Sequence, residues 1–243
     1  MNITKNNAFV IVLPLLLCCL FYSSVHATVI KVGNDKTYKT IKEALQQANP
    51  GDTIIISKGI YKEGNIVINK PICIIGEDYP VLDAEFKTEV LSVKSSNVVI
   101  KYLQIQNSGR SAMVDEAAIK VYDENNIIIE GNKLINNFFG VHLQYASHCI
   151  VKNNFIKASQ KEEYESANGI HCWKSDSLQI IGNTIYGHRD GIYFEFVKNS
   201  VIWRNISQNN LRYGLHFMFS NKNAYITNYF SNNGAGVAVM FSK

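Results

Sequence analysis

The chain has 243 residues, of which 47% are apolar and 18% are charged, so its length allows one large domain or two small ones. Its formal net charge of +4 is too small to indicate a nucleic-acid partner or an anionic membrane surface. Three cysteines follow residue 27, and an odd number without close spacing indicates neither a disulfide scaffold nor a zinc motif.

The first 27 residues have the pattern of a secretory signal peptide. Lys5 precedes an uncharged run over residues 8–22, which Pro14 interrupts, and small residues occupy positions −1 and −3 before Thr28. The run is shorter than the roughly 20 residues that a membrane span needs. We therefore expect export, with a mature chain that starts at Thr28.

Residues 37–49 are predicted to form a short amphipathic helix that stops at Pro50-Gly51. Its apolar positions, at helical spacing, are Ile41, Ala44, Leu45 and Ala48. Such a helix would cover the open end of a stack of strands. The apolar runs at 53–56, 66–68, 72–75 and 98–100 are predicted to be the first strands.

A repeat of about 22 residues follows. One column of asparagines recurs at spacings of 22, 29, 22 and 23 residues, at Asn132, Asn154, Asn183, Asn205 and Asn228. A glycine column has nearly the same period, at Gly140, Gly169, Gly191, Gly214 and Gly236. Each unit contains three short apolar strands separated by turns, which predicts one coil of a right-handed single-stranded parallel β-helix. The stacked asparagines are expected to form a hydrogen-bonded structural ladder.

The predicted organisation is an N-terminal cap and helix over residues 28–52, followed by coils over 53–243. The sequence stops one strand into a coil, without the polar or helical cap that usually closes a solenoid. We expect a C-terminal truncation or completion by a partner.

The third strand of each unit alternates between inward and outward side chains. The inward set is Val141, Leu143, Ile170, Cys172, Ile192, Phe194, Leu215, Phe217, Val237 and Val239, and Cys149 is also assigned to the core. The first outward column is Lys120, His142, His171, Tyr193, His216 and Ala238. The second is Tyr122, Gln144, Trp173, Glu195, Met218 and Met240.

Since neighbouring coils lie about 4.8 Å apart, His216, Met218 and Met240 could converge on one small volume. Imidazole with thioether is a soft ligand set that suits copper(I) better than calcium or magnesium. Two alternatives stay open, a general partner-docking face and an inert side-chain ladder. The docking face would comprise His142, His171, Trp173, Tyr193 and Glu195.

Two coils are longer than 22 residues. The additional residues fall at about 109–116 and 160–167, before the outward strand and two coils apart. Because they flank the coil of His142, these loops are predicted to wall a binding surface.

The most distinct polar cluster in the sequence is the run His188-Arg189-Asp190, with Glu195 nearby. One interpretation is a catalytic group of a carbohydrate-active enzyme, with Asp190 and Glu195 as acid and base. The alternative is a turn in which Arg189 and Asp190 make a local charge contact. No Gly-His-Gly pattern of the pectin hydrolases is present in the sequence.

Three C-terminal runs resemble the NosD family of periplasmic nitrous oxide reductase maturation proteins. They are HRDGIYFEF at 188–196, RYGLHFMFS at 212–220 and GAGVAVMFS at 234–242. The N-terminal helix and KPICIIGE at 70–77 also fit, but many carbohydrate-binding and sugar-hydrolase β-helices share these features.

The resemblance implies a periplasmic accessory protein rather than an enzyme. Its partners would be the membrane and ATPase subunits of an ABC transporter, a copper chaperone lipoprotein and nitrous oxide reductase, with the membrane reached only through these partners. No tightly bound cofactor is expected, although copper would pass through in transit. A carbohydrate-binding or polysaccharide-cleaving β-helix is the alternative.

Overall fold

The structure is a computed structural model that describes residues 27–111, 113–159, 162–165 and 167–243. Across these residues the chain winds into a right-handed parallel β-helix, which confirms the predicted fold class. Residues 1–26, with all but the last residue of the predicted signal peptide, lie outside the described residues. Within the described residues, no helix is both long and apolar enough to cross a membrane.

Three parallel sheets run along the helix axis, and each coil contributes one strand to each sheet. Sheet 1 contains β1 Val29–Val32, β2 Thr53–Ile56, β5 Cys73–Gly76, β8 Val99–Lys101, β11 Ile128–Glu130, β14 Ile150–Lys152, β17 Gln179–Ile181, β20 Val201–Trp203 and β23 Ala224–Ile226. Sheet 2 contains β3 Ile60–Tyr61, β6 Val81–Asp83, β9 Gln104–Gln106, β12 Lys133–Ile135, β15 Phe155–Lys157, β18 Thr184–Tyr186, β21 Ile206–Gln208 and β24 Tyr229–Ser231. Sheet 3 contains β4 Ile66–Ile68, β7 Leu91–Val93, β10 Ala117–Tyr122, β13 Phe139–Gln144, β16 Ile170–Trp173, β19 Asp190–Glu195, β22 Tyr213–Met218 and β25 Ala235–Met240.

The core is a stack of aliphatic side chains along the axis. In sheet 1, for example, Ile100, Ile129, Val151, Ile180 and Ile202 lie in register and are fully buried. In the three-residue strands of sheet 1 from β8 to β20, the central residue faces inward and its flanking residues face outward, which follows from the two-residue alternation of a strand. Each coil therefore buries its apolar side chains against the coils on either side.

The predicted helix is present but shorter than expected. Helix α1 spans Ile41–Gln47, because Thr40 and Glu43 form a capping box that fixes its first turn. Glu63 accepts hydrogen bonds from the first backbone N–H groups, and the ammonium of Lys70 donates to carbonyls at the other end. The predicted bounds of 37–49 were wrong at both ends because the caps, rather than apolar spacing, terminate the helix.

Strand β1 was not among the predicted strands. Its four residues pair in parallel with β2 and extend sheet 1 beneath the cap helix. Val32 belongs to the buried core cluster, and Ile30 packs against it. The segment is short and borders the predicted cleavage site, so its alternation gives little signal.

The asparagine column forms a continuous ladder of hydrogen bonds. The Nδ2 atom of each asparagine from Asn132 to Asn205 donates to Oδ1 of the next member, at 2.9 to 3.1 Å. The backbone N–H of each also donates to the same Oδ1 atom. The ladder therefore satisfies turn backbone that strand pairing leaves unpaired.

The final coil differs from the others in exposure. Val237 and Val239 occupy the predicted inward register opposite Leu215 and Phe217. Val239 is nevertheless 56% exposed, because no further coil in the described residues packs over it. A side chain at an inward position is therefore buried only where its own coil is packed between two other coils.

Candidate functional site

The outer face of sheet 3 carries a column of stacked rings. His142, His171, Tyr193 and His216 occupy matching positions on β13, β16, β19 and β22. Their ring centroids are separated by 4.7, 4.9 and 4.6 Å in that order. This spacing equals the separation of neighbouring strands, so the column is a ladder set by the sheet.

The column points outward as predicted, but three of its four rings are buried. His142 is 2% exposed, Tyr193 9% and His216 3%. The rings contact their neighbours in the ladder, Phe139 stacks on His142, and Tyr213 makes an edge contact with His216. Both aromatics immediately precede a glycine of the repeat column, which is a sequence signal that could have identified them.

The two long loops also contribute to the cover. Asp115 in the first loop lies 4.0 Å from the Lys120 ammonium and 3.9 Å from Nδ1 of His142. In the second loop, Ala167 packs with Phe139. The loops therefore flank the His142 coil, and Asp115 is a site residue for which the repeat gives no signal.

Burial keeps the imidazoles neutral. Desolvation lowers the pKa of His142 to about 3, and the same cause holds the pKa of His171 well below its usual value. Both ring nitrogens of His142 lack a hydrogen-bond partner among the described residues, as does Nε2 of His171. Buried polar atoms without partners are rare in folded proteins and often mark a place where a ligand binds.

His216 is oriented by a carboxylate. Its Nδ1 lies 3.3 Å from Oδ2 of Asp190, whose other oxygen accepts from the backbone N–H of Tyr213 and lies 3.7 Å from Nε of Arg212. The charge partner of Asp190 is thus Arg212 from the next coil, and the alternative of a local Arg189–Asp190 contact was wrong. The contact with Asp190 fixes the orientation of the His216 ring, and Nε2 of His216 is buried without a hydrogen-bond partner among the described residues.

The structure does not bring the candidate catalytic residues together. His188 is buried, and its backbone N–H donates to the side chain of Asn210. Asp190 and Glu195 are the first and last residues of β19, so their Cα atoms are about 16 Å apart. Paired glycosidase carboxyl groups are separated by about 5 to 9.5 Å. Asp190, at 1% exposed and already hydrogen-bonded, does not form such a pair with Glu195.

The second column reaches the surface. Met218 and Met240 are register partners on β22 and β25, and His216 lies two residues before Met218 on the same face. The hydroxyl of Tyr193 donates to the Met218 sulfur at 3.2 Å. No group of three or more histidine, cysteine or acidic side chains in the described part of the chain is arranged to hold a metal ion.

A ridge of exposed phenylalanines follows this column. Phe196, Phe219 and Phe241 come directly after Glu195, Met218 and Met240, and stack at 5.1 and 5.0 Å. Their regular spacing in the repeat was visible in the sequence, but they were not among the predicted site residues. They add an apolar margin to the outer face of sheet 3.

The comparisons with known proteins agree with the fold. A family model described as "Right handed beta helix region" matches residues 88–243, and the chain belongs to this family. The class is therefore that of right-handed parallel β-helix proteins.

Among curated proteins, the chain is similar to one described as "Probable ABC transporter binding protein NosD" from Pseudomonas aeruginosa. The two are 29% identical over 130 residues, which is 53% of this chain and 30% of the length of that relative. The match thus covers less than a third of the relative.

Two solved structures illustrate the likeness in fold. Pectate lyase Pel9A is 15% identical to this chain and superimposes with a TM-score of 0.59. The match covers 90% of this chain and 79% of the lyase chain. A family 28 exopolygalacturonase from Yersinia enterocolitica is 10% identical with a TM-score of 0.61, covering 88% and 55% respectively. At these identities the likeness shows the fold alone.

Proposed function

We propose that this protein is a periplasmic accessory factor for the maturation of nitrous oxide reductase. It would act with an ABC transporter and a copper chaperone during assembly of the reductase copper sites. The observation that carries the proposal is the 29% identity over 130 residues to the ABC transporter binding protein NosD. The C-terminal runs at 188–196, 212–220 and 234–242 supply the specific sequence features.

The geometry of sheet 3 supports a docking role more than a catalytic one. Closely packed rings form its inner column, and Trp173, Glu195 and the methionines form a second column at the surface. Asp190 is engaged with groups of the neighbouring coil instead of facing Glu195. A surface of aromatic, thioether and isolated charged groups suits the recognition of a protein partner.

Copper would pass this face as cargo, and His216, Met218 and Met240 are the proposed contacts. The Asp190 carboxylate orients His216 in the way that second-shell carboxylates orient metal-binding histidines. Thioether sulfur favours copper(I), and Met218 and Met240 lie on adjacent strands. Three soft donors on a partly covered face would bind the ion weakly enough to release it.

Removal of the gene tests the proposed function. We expect the reductase to accumulate in the periplasm with little copper, and nitrous oxide consumption to fall by at least tenfold. Both should return when the gene is supplied on a plasmid. A reductase that is fully loaded with copper in the deletion strain would contradict the proposal.

Copper(I) titration of the purified chain tests the three contacts. Met218→Leu and Met240→Leu keep side-chain volume and remove sulfur, so each should weaken copper(I) binding by about tenfold. Met113→Leu is the matched control, because Met113 lies exposed on the first long loop. Equal affinity in all three variants would show that the copper contacts lie elsewhere.

A further inference from the structure

The outer face of sheet 3 contains a small cavity within the proposed docking face. Its lining residues are Asp115, His142, Gln144, His171, Trp173 and Glu195. Its volume is about 170 Å³, below the roughly 300 to 1,000 Å³ of pockets that hold drug-sized ligands. The space therefore suits one side chain or a comparably small group.

Buried atoms without partners indicate that this cavity receives a ligand. His142 lines it and is 2% exposed, yet neither of its ring nitrogens has a hydrogen-bond partner among the described residues. Nε2 of His171 lacks one as well, while its Nδ1 contacts Asn168. A buried polar atom without a partner is energetically unfavourable, and a ligand group that forms a hydrogen bond with it would remove that penalty.

The lining has a negative charge. Asp115 and Glu195 are the ionisable acids, and the low pKa of both imidazoles keeps them uncharged at neutral pH. The Lys120 ammonium, 4.0 Å from Asp115, offsets that carboxylate. Glu195 has no ion-pair partner within 4 Å in the part of the chain that the structure describes, although the positive charges of Lys120 and Arg189 lie close enough to His171 to lower its pKa.

The aromatic wall also attracts cations. The Lys174 ammonium lies 4.6 Å from the centre of the Trp173 ring and 5.4 Å from that of Tyr145. Trp173 thus makes one cation–π contact within the protein and also lines the cavity with its aromatic ring. The cavity combines a carboxylate without an ion-pair partner, a side-chain amide, an imidazole lone pair and an aromatic face.

We propose that this cavity binds the guanidinium group of an arginine presented by a partner protein. A guanidinium has five donors and no acceptor, carries permanent charge and stacks on aromatic rings. It can therefore donate to Glu195, Gln144 and His142 while it contacts Trp173. That the arginine belongs to a docking partner rests on the proposed function, whereas the site itself does not.

The proposal can be tested by tryptophan fluorescence of the purified chain. The chain has two tryptophans, so Trp203→Phe leaves Trp173 as the sole reporter. In this background, N-acetyl-arginine amide should give a saturable change with half-saturation below about 10 mM. N-acetyl-lysine amide should bind several-fold more weakly, and sodium acetate and methyl glucoside should give no saturable change.

Two variants and a control make the test specific. Glu195→Gln should weaken binding about tenfold, because a charge-assisted hydrogen bond is lost. Gln144→Glu should strengthen it several-fold by adding charge to the cavity. Asp123→Asn removes an exposed carboxylate at the end of β10, outside the cavity lining, and should leave affinity within about twofold.

Saturation by acetate or glucoside but not by arginine amide would overturn the assignment, as would equal effects of Glu195→Gln and Asp123→Asn. The titration needs no reductase, so its failure would leave the maturation role standing. Conversely, arginine binding together with a copper-loaded reductase in the deletion strain would retain the site and remove the proposed function.

Discussion

At the scale of single residues, asparagine supplies the polar support of the coils. Asn183 is fully buried, accepts from the backbone N–H and Nδ2 of Asn154, and donates to the carbonyl of Val151 at 2.8 Å. Its loss would leave those donors without an acceptor inside the core, where water cannot replace it. The buried asparagine at this position therefore has a structural role and not a catalytic one.

Asn183→Ala should lower the free energy of unfolding by about 2–4 kcal/mol, since several buried groups lose their partners. Urea unfolding followed by circular dichroism measures the change. Asn69→Ala is the control, because Asn69 is exposed and outside the ladder, and should change stability by no more than about 0.5 kcal/mol. Similar losses in the two variants would contradict the role of the ladder.

Buried histidines make stability depend on pH. The pKa of His142 is lowered to about 3 and that of His188 to about 4, both by desolvation. Since the unfolded chain binds protons near pH 6.5, the unfolded state takes up more protons as pH falls below that value. Stability is therefore complete above about pH 6.5 and declines between pH 6.5 and these folded-state values.

We expect unfolding free energy to fall by up to about 1.4 kcal/mol per pH unit for each such histidine. His142→Phe keeps the ring stack with Phe139 and His171 but removes one titrating group, so its slope between pH 6.5 and 4.5 should be shallower. The control is His148→Asn, at an exposed residue with positive φ that asparagine tolerates. An unchanged slope in His142→Phe would show that His142 is not buried in the neutral form.

At the scale of strands, the glycine column sets how closely consecutive coils approach. A Cβ atom at Gly191 would lie 2.8 Å from the carbonyl oxygen of Gly214 and would also collide with Oγ of Ser207. A Cβ at Gly236 would meet only Phe230, at 3.8 Å. Neither glycine has positive φ, so close approach rather than backbone conformation explains the residue at 191.

Gly191→Ala should therefore destabilise the protein by about 3 kcal/mol through overpacking. Gly236→Ala, in the same column of the final coil, should change stability by less than about 1 kcal/mol. Thermal unfolding of the two variants side by side measures the difference. Equal melting temperatures would contradict the claim that contact between coils selects glycine.

Strand order, register and the inward set follow from the period of the sequence, because each coil repeats the same alternation. The first residue of the helix could have been predicted from the capping-box spacing of Thr40 and Glu43, whereas the contacts of Glu63 with the first N–H groups form only after folding. The partner of Asp190 was also missed. Arg212 is 22 residues away in the sequence, and nothing in the run 188–190 indicates which coil supplies the opposite charge.

At the scale of the whole molecule, the winding concentrates different chemistry on different faces. Sheet 1 carries ion pairs between neighbouring coils, such as those of Glu130 with Lys101 and Lys152. Sheet 3 carries the ring ladder and the cavity. The repeat predicted which side chains point outward on sheet 3. It could not predict their burial, because the loops and the rings of adjacent coils that cover them are set by the packing and not by the period.

The proposed role of the outer face of sheet 3 can be tested by complementing the deletion strain with Glu195→Gln and Trp173→Ala on sheet 3, and with Lys152→Ala and Trp203→Ala on sheet 1. The measurement is the copper content of purified nitrous oxide reductase, with equal levels of each variant verified by immunoblot. We expect a severalfold loss of copper with the sheet 3 variants and normal copper with the sheet 1 variants. Normal copper with the sheet 3 variants, or loss confined to the sheet 1 variants, would contradict that role.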